Sequence, residues 1–399
     1  MYIWNSIPNI HKMIRREISK QILHATKNVP VICITGPRQS GKTTLVKHLF
    51  PNYKYYNLEF PQHRQFAQAD AIEFLNEIES GIIIDEVQRV PELLSTIQFI
   101  VDEKKVVGKI VIIGSQNLLL MQSVSQTLAG RVALFTQLPF STNELQETKF
   151  QENRYENYLV KGFYPRIYDQ KLNAHNWLQD YINTYIERDV RQITDVKDLS
   201  MFSNFLQLCA GHTGQIVNYS TFSNNLGIDV KTVRSWLSIL ETSYIIYLQP
   251  AYFKNFNKRV IKSPRLYFYD TGLACNLLGI KNSSDYSSHY LKGGLFESFV
   301  ISELLKIIHN NKLNSKIYYF RNSNGNEIDA VIEYGGKIKA IEIKSGKTII
   351  PAFFKNFNYW DKLLNQANSE KYLIYGGEET QNRTFAKVLN WKSLDAVFL

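Results

Sequence analysis

The amino-acid sequence predicts an α/β chain whose first part is a mostly parallel sheet with helices on its faces. Three observations predict it: apolar β-rich runs alternate with helical stretches, a glycine-rich turn joins the first run to a helix, and a later run ends in two adjacent acids. The runs are Val29 to Thr35, Gly81 to Ile84, Lys109 to Ile113 and Val132 to Gln137, the last closing at Pro139. Ahead of them, Ile10, Ile14, Ile18 and Ile22 recur at helical spacing, which predicts a helix from Asn9 to Thr26 packed on this sheet. After about Gln146 the pattern turns helical and aromatic, through Trp177 to Val190. Near Ser220 it changes again, to short helices at Phe222 to Leu226 and Val230 to Leu240 around a turn at Gly227. An extended segment from Tyr244 to Tyr269 follows, interrupted by basic residues. Gly293 and Gly294 then introduce a last α/β region, with strands at Lys316 to Phe320, Glu327 to Glu333, Ile338 to Lys344 and Tyr372 to Tyr375. These shifts divide the chain into units at 1–145, 146–200, 201–290 and 291–399.

A length of 399 residues suits two to four domains, and 44% hydrophobic residues allow sizeable cores. The net charge of +10 suits a polyanionic partner, although a basic surface kept for solubility gives the same balance. Cys33, Cys209 and Cys275 are too far apart to form a zinc or redox pair, and Cys33 reads as a small buried hydrophobe. No apolar run reaches the length of a membrane span. Met1 to Asn9 contains Pro8 and no small-residue cleavage site, so the expected compartment is the cytoplasm.

The glycine-rich turn is Gly36-Pro37-Arg38-Gln39-Ser40-Gly41-Lys42-Thr43, followed by Thr44. It satisfies G-x-x-x-x-G-K-[ST] between a predicted strand and a predicted helix, the context a phosphate cradle needs. Its glycines let backbone N–H groups turn inward, and the helix N-terminus adds its dipole. Lys42 is assigned to the β- and γ-phosphates of ATP and Thr43 to Mg2+. The run Gly81 to Ile84 ends in Asp85 and Glu86. Asp85 is assigned to the magnesium shell and Glu86 to the attacking water, which it would orient and deprotonate. Gly114-Ser115-Gln116-Asn117 ends the next strand, and there Ser115 is placed to sense the γ-phosphate. Arg131 is placed to reach a neighbouring subunit's nucleotide, which would make the chain a homo-oligomer.

The P-loop, Asp85-Glu86 and Leu128-Ala129-Gly130-Arg131 together resemble the AAA-type ATPases that carry a DUF4143 C-terminal region. Lys161-Gly162-Phe163-Tyr164-Pro165, Tyr185-Ile186-Glu187-Arg188-Asp189-Val190 and Tyr267-Phe268-Tyr269-Asp270-Thr271-Gly272-Leu273 extend the resemblance over nearly the whole chain. It implies a P-loop AAA+-like parallel sheet, a helical lid, a winged-helix domain and a C-terminal restriction-endonuclease-like α/β domain.

Two further sets follow from the residues. Leu226-Gly227-Ile228-Asp229-Val230 has the form of a turn leading into a recognition helix, on which Val233, Leu237 and Leu240 face inward and Lys231 and Arg234 stay free. Lys254, Lys258, Arg259, Lys262 and Arg265 form a basic stretch placed like a DNA-touching wing, so DNA is the expected partner. In the last region, Glu297 on a helix, Asp329 on one strand and Glu342-Ile343-Lys344 on the next match the PD-(D/E)xK nuclease pattern. Polar residues on a strand's solvent face give the same spacing. Three functions fit: a DNA-remodelling ATPase, a metal-dependent nuclease gated by the ATPase, and a nucleotide switch with protein partners.

Overall fold

The computed structural model describes residues 13–114, 124, 126–146, 148–186, 199–252, 262–364 and 369–399. Its first part holds α1 (Ser19–Ala25), β1 (Val31–Thr35), α2 (Lys42–Leu49), β2 (Lys54–Asn57), α3 (Pro61–Ala69), α4 (Ala71–Phe74), β3 (Ile82–Asp85), α5 (Leu93–Lys104), β4 (Ile110–Ile113) and β5 (Val132–Thr136). All five strands are parallel, in the order β2-β3-β4-β1-β5. Alternate side chains leave opposite faces of a strand, and both faces of this sheet are covered. Val31, Cys33, Ile82, Ile84, Ile110 and Ile112 pack on α5, while Ile32, Ile34, Ile83, Val111 and Ile113 pack on α1 and α2. The expected buried Cys33 is therefore a core residue.

The N-terminal helix is shorter than its isoleucine spacing predicts. Met13 to Arg16 are not helical, and helix begins at Ser19. Non-helical backbone there lets the Arg16 guanidinium reach into the interior, where it donates to the Ser40, Leu138 and Pro139 carbonyls and pairs with Glu144 at 2.9 Å.

Helices follow: α6 (Thr142–Leu145), α7 (Tyr155–Lys161), α8 (Pro165–Asp169) and α9 (Ala174–Tyr181). Next come α10 (Leu199–Gly211), α11 (Tyr219–Leu226) and α12 (Val230–Thr242), then an antiparallel ribbon of β6 (Ile246–Gln249) and β7 (Arg265–Phe268). The helices α13 (Thr271–Leu277), α14 (Ser283–Ser288) and α15 (Lys292–Asn310) lead to the last sheet. It contains β8 (Ile317–Arg321), β9 (Glu327–Tyr334), β10 (Lys337–Lys344), β11 (Ser369–Tyr375), β12 (Gln381–Asn382) and β13 (Lys387–Asn390). The strand order is β12-β13-β11-β10-β9-β8, antiparallel from β8 to β10 and parallel from β10 through β11 to β13. One apolar core runs from Leu138 through the middle helices and the ribbon to Val397, so these regions are packed together.

Two sequence motifs explain one another inside that core. Asp270 caps α13 by accepting from the Leu273 N–H at 3.3 Å, and its other oxygen accepts from the Phe163 N–H at 2.7 Å. Gly162 has φ +72°, and a Cβ there would lie 2.4 Å from the Asp270 carboxylate. A Cβ on Gly272 would lie 2.7 Å from the Gly162 Cα. The two glycines allow Lys161 to Pro165 and Asp270 to Leu273 to touch through their backbones.

Candidate nucleotide site and a buried charge cluster

In a parallel sheet all strands end on one edge, and that edge collects the predicted nucleotide residues. The P-loop leaves β1 at Gly36, whose φ of +140° suits only glycine, and a Cβ there would fall 2.1 Å from the Gln137 carbonyl. Pro37, Arg38, Gln39 and Ser40 complete the turn. Gln39 has φ +63°, and Gly41 (φ +87°) leads into α2, where Lys42, Thr43 and Thr44 form the first turn. The loop is braced from behind: the Ser40 carbonyl accepts from the Arg16 guanidinium at 3.1 Å and from the Gln137 side chain at 2.9 Å. Ser40 and Gln137 are fully buried. The Lys42 ammonium donates to the Gly36 and Pro37 carbonyls at 2.9 and 2.8 Å, lying across the loop it would leave to meet phosphate.

On the neighbouring strand ends, the Thr43 hydroxyl donates to Asp85 at 2.7 Å, and the Tyr55 hydroxyl donates to the same carboxylate oxygen at 2.8 Å. Strand β4 lies between β1 and β3, so P-loop and acids face one another across a single strand end. Glu86 follows in the left-handed region, φ +57°, a strained conformation of the kind functional sites retain. Burial pushes its carboxyl above the ordinary range, and Arg38 and Lys42 pull it back. The Gln88 side chain donates to Glu86, and Arg38 and Arg89 approach Glu59 at 3.9 and 3.8 Å. The paired hydroxyl and carboxylate of Thr43 and Asp85 fit a magnesium ion, which would screen phosphate charge there. Tyr55, Glu59, Arg16 and Gln137 belong to this constellation and were invisible as motif residues.

The middle helices also reach the loop. The Tyr181 hydroxyl donates to the Arg38 carbonyl at 3.2 Å, and Tyr244, just after α12 at φ +59°, shares a 3.0 Å hydrogen bond with the Thr35 hydroxyl. Arg131 lies elsewhere. It stands where β5 begins, on the sheet edge opposite the P-loop, chelated by Asp102 at 2.6 and 2.8 Å. Ser115, the expected phosphate sensor, lies outside the described residues.

On α12, Val233, Leu237 and Leu240 are buried while Lys231 and Arg234 are exposed, as the spacing predicts. Asp229 caps this helix, accepting from the Thr232 N–H at 2.8 Å, and the Arg234 guanidinium lies 3.9 Å over the Tyr219 ring. Lys262 is exposed; Lys254, Lys258 and Arg259 lie outside the described residues. Arg265 corrects the sequence reading. It is 2% exposed and points inward, drawn by the acids of the last sheet, so it is no part of a DNA-facing wing.

Those acids are the predicted nuclease set, and the structure brings all four residues together. Lys344 pairs with Asp329 at 2.8 Å and with Glu342 at 2.7 Å, and the Ile343 N–H donates to Asp329 at 2.8 Å. Glu297 accepts from the Tyr267 hydroxyl at 3.1 Å. The face carrying Glu342 is buried, since β10 is covered on both sides, so the reading of a solvated strand face is overturned. Burial, then the nearby Asp329 charge, pushes Glu297 and Glu342 up to about 8. Asp329 stays below the ordinary range: burial alone would raise it, but Lys344 and Arg265 outweigh that. Among the described residues, no group of three or more His, Cys, Asp or Glu side chains is arranged to hold a metal ion. No helix among them is long and apolar enough to cross a membrane.

Comparison with known proteins places these features. Residues 28–146 match a family described as an AAA domain, and residues 292–394 match DUF4143, a domain of unknown function. Residues 152–284 match a second domain of unknown function, DUF8612. Uncharacterized proteins of Mycobacterium bovis and Mycobacterium tuberculosis are each 26% identical over 367 residues, covering 91% of this chain and 80% of theirs. A Walker-type ATPase of Pyrococcus abyssi is a structural neighbour at 13% identity and a TM-score of 0.47, covering 69% of this chain and 99% of its own. With an AAA match over the braced P-loop and a DUF4143 match over the last sheet, the chain is similar in these two parts to AAA-type P-loop ATPases that carry a DUF4143 C-terminal region.

Proposed function

We propose that this protein hydrolyses ATP at the β1–α2 loop and uses the cycle to remodel or move DNA as a homo-oligomer. One observation carries the catalytic half: Lys42, Thr43, Asp85 and Glu86 converge on one sheet edge, with Thr43 bonded to Asp85 at 2.7 Å. Lys42 supplies charge to the phosphates, and Thr43 and Asp85 hold the magnesium. Glu86 takes the proton of the attacking water, a task helped by a carboxyl raised above its usual range. The exposed Lys231 and Arg234 on a capped helix support DNA as the partner, and the Tyr244–Thr35 bond gives that helix a route to the P-loop strand.

The deciding experiment is steady-state ATP turnover beside direct nucleotide binding. Glu86→Gln is expected to bind ATP as wild type does while turnover falls about a hundredfold or more, the scale of a lost general base. Lys42→Ala is expected to lose tight binding itself. Wild-type turnover in Glu86→Gln removes that carboxylate from the mechanism.

A further inference from the structure

We propose that Arg265 is, beside Lys344, a resident cation of the C-terminal carboxylate cluster, which makes this centre an internal latch between ribbon and sheet instead of a divalent-metal site. The guanidinium comes from β7 and enters the acids of two other elements. Its nitrogens lie 2.5 Å from Glu327 and 3.6 Å from Asp329 on β9, and 4.0 Å from Glu297 on α15. Its centre lies 4.9 Å over the ring of Tyr319 on β8.

A magnesium ion needs open carboxylate lone pairs in near-octahedral array, at about 2.1 Å. Here nitrogen groups hold those positions. One Asp329 oxygen accepts from Ile343 N–H and from Lys344, both at 2.8 Å, and the other faces Arg265. One Glu342 oxygen accepts from the Asn356 side chain at 3.0 Å, and the other meets Lys344. A planar, permanently charged guanidinium bridges several carboxylates at once, as a metal would, but it is covalently part of the chain.

The same residues tie ribbon to sheet. Gln249 on β6 donates to the Tyr318 and Asp329 carbonyls, each at 3.0 Å, and the Tyr319 hydroxyl donates to the Ser263 carbonyl two residues before Arg265. The Tyr252 N–H donates to the Tyr319 carbonyl at 2.7 Å. Arg265 is thus a charged pin of this joint, beside the Tyr252 hydroxyl, which donates to Glu333 on β9 at 2.7 Å, and the backbone and amide bonds just named.

The test uses the full-length protein without nucleotide and Mn2+ alone as probe, with free Mn2+ followed by electron paramagnetic resonance. Wild type and Asp329→Asn are expected to leave the same amount of Mn2+ free, and wild type with Mg2+ or Mn2+ is expected to leave duplex and single-stranded DNA uncut. A stoichiometric Mn2+ site, or DNA cleavage, that is present in wild type and absent from Asp329→Asn overturns the proposal. These measurements do not depend on an Arg265 variant folding. Where Arg265→Met does fold, it is expected to gain on the order of one Asp329-dependent Mn2+ per chain and faster amide exchange in β8. A folded Arg265→Met that gains neither overturns the latch.

Discussion

Arg16 shows how a single side chain outside the motif conditions the site. Its guanidinium spans the Ser40 carbonyl of the P-loop, the Leu138 and Pro139 carbonyls after β5, and the buried Glu144. A lysine keeps the charge and cannot bridge four acceptors from one planar fork. Arg16→Lys is therefore expected to weaken ATP binding about tenfold, the effect of losing one or two such bonds at about 1 kcal/mol each. Turnover at saturation is expected to change less, because Glu86 and Asp85 stand on another strand. Nucleotide titration beside steady-state kinetics checks this, and equal affinity in both proteins would show that the brace plays no part in binding. Gln137, on the same Ser40 carbonyl, is the natural second site.

Among the elements, the glycine pair of α7 and α13 is the most exacting. Gly162 holds a backbone conformation that other residues enter only under strain, and a methyl group there meets Asp270. Gly162→Ala is expected to cost at least about 2 kcal/mol, read as a lower urea midpoint. An unchanged midpoint would mean that the two motifs separate at little cost. Helix α12 carries the DNA prediction. Removing one cation that neutralises a phosphate lowers the salt slope of binding by about one unit. Lys231→Glu with Arg234→Glu is expected to weaken duplex binding steeply at low salt and leave basal ATP turnover intact. Lys104→Glu with Lys105→Glu, the same charge change on α5 and its end, is the control. Equal weakening in both pairs indicates diffuse attraction, and no binding by wild type to any duplex, fork or junction favours a nucleotide switch with protein partners.

At the scale of the whole molecule, the sheet separates Arg131 from its own nucleotide site. The P-loop leaves the far end of β1, and Arg131 sits where β5 begins. To meet a nucleotide it must therefore reach across to another copy, and the Asp102 chelate must open first. Arg131→Ala is expected to bind ATP normally and hydrolyse it slowly, and mixing it with Lys42→Ala is expected to restore part of the turnover. A mixture no faster than its parts, with light scattering showing monomers throughout, would remove the basis for an oligomeric cycle.

The sequence by itself determined the P-loop, the acidic strand end, the parallel first sheet and the inward and outward faces of α12, because each is written in residues close together in the chain. Strand period, helix period and the glycine-lysine-threonine spacing are local signals, and local backbone geometry obeys them. The four residues of the C-terminal set were legible too, as a pattern on adjacent strands and a helix. Only the tertiary structure decided what surrounds them. Arg265 stood in a basic stretch and read as solvent-facing, yet β9 and α15 bring acids to it, and a buried carboxylate cluster favours an internal cation over leaving its charges unpaired. Arg16 likewise broke its helical pattern because backbone carbonyls more than a hundred residues away needed a donor. Charge pairing and backbone satisfaction act across space, so no spacing along the chain records them.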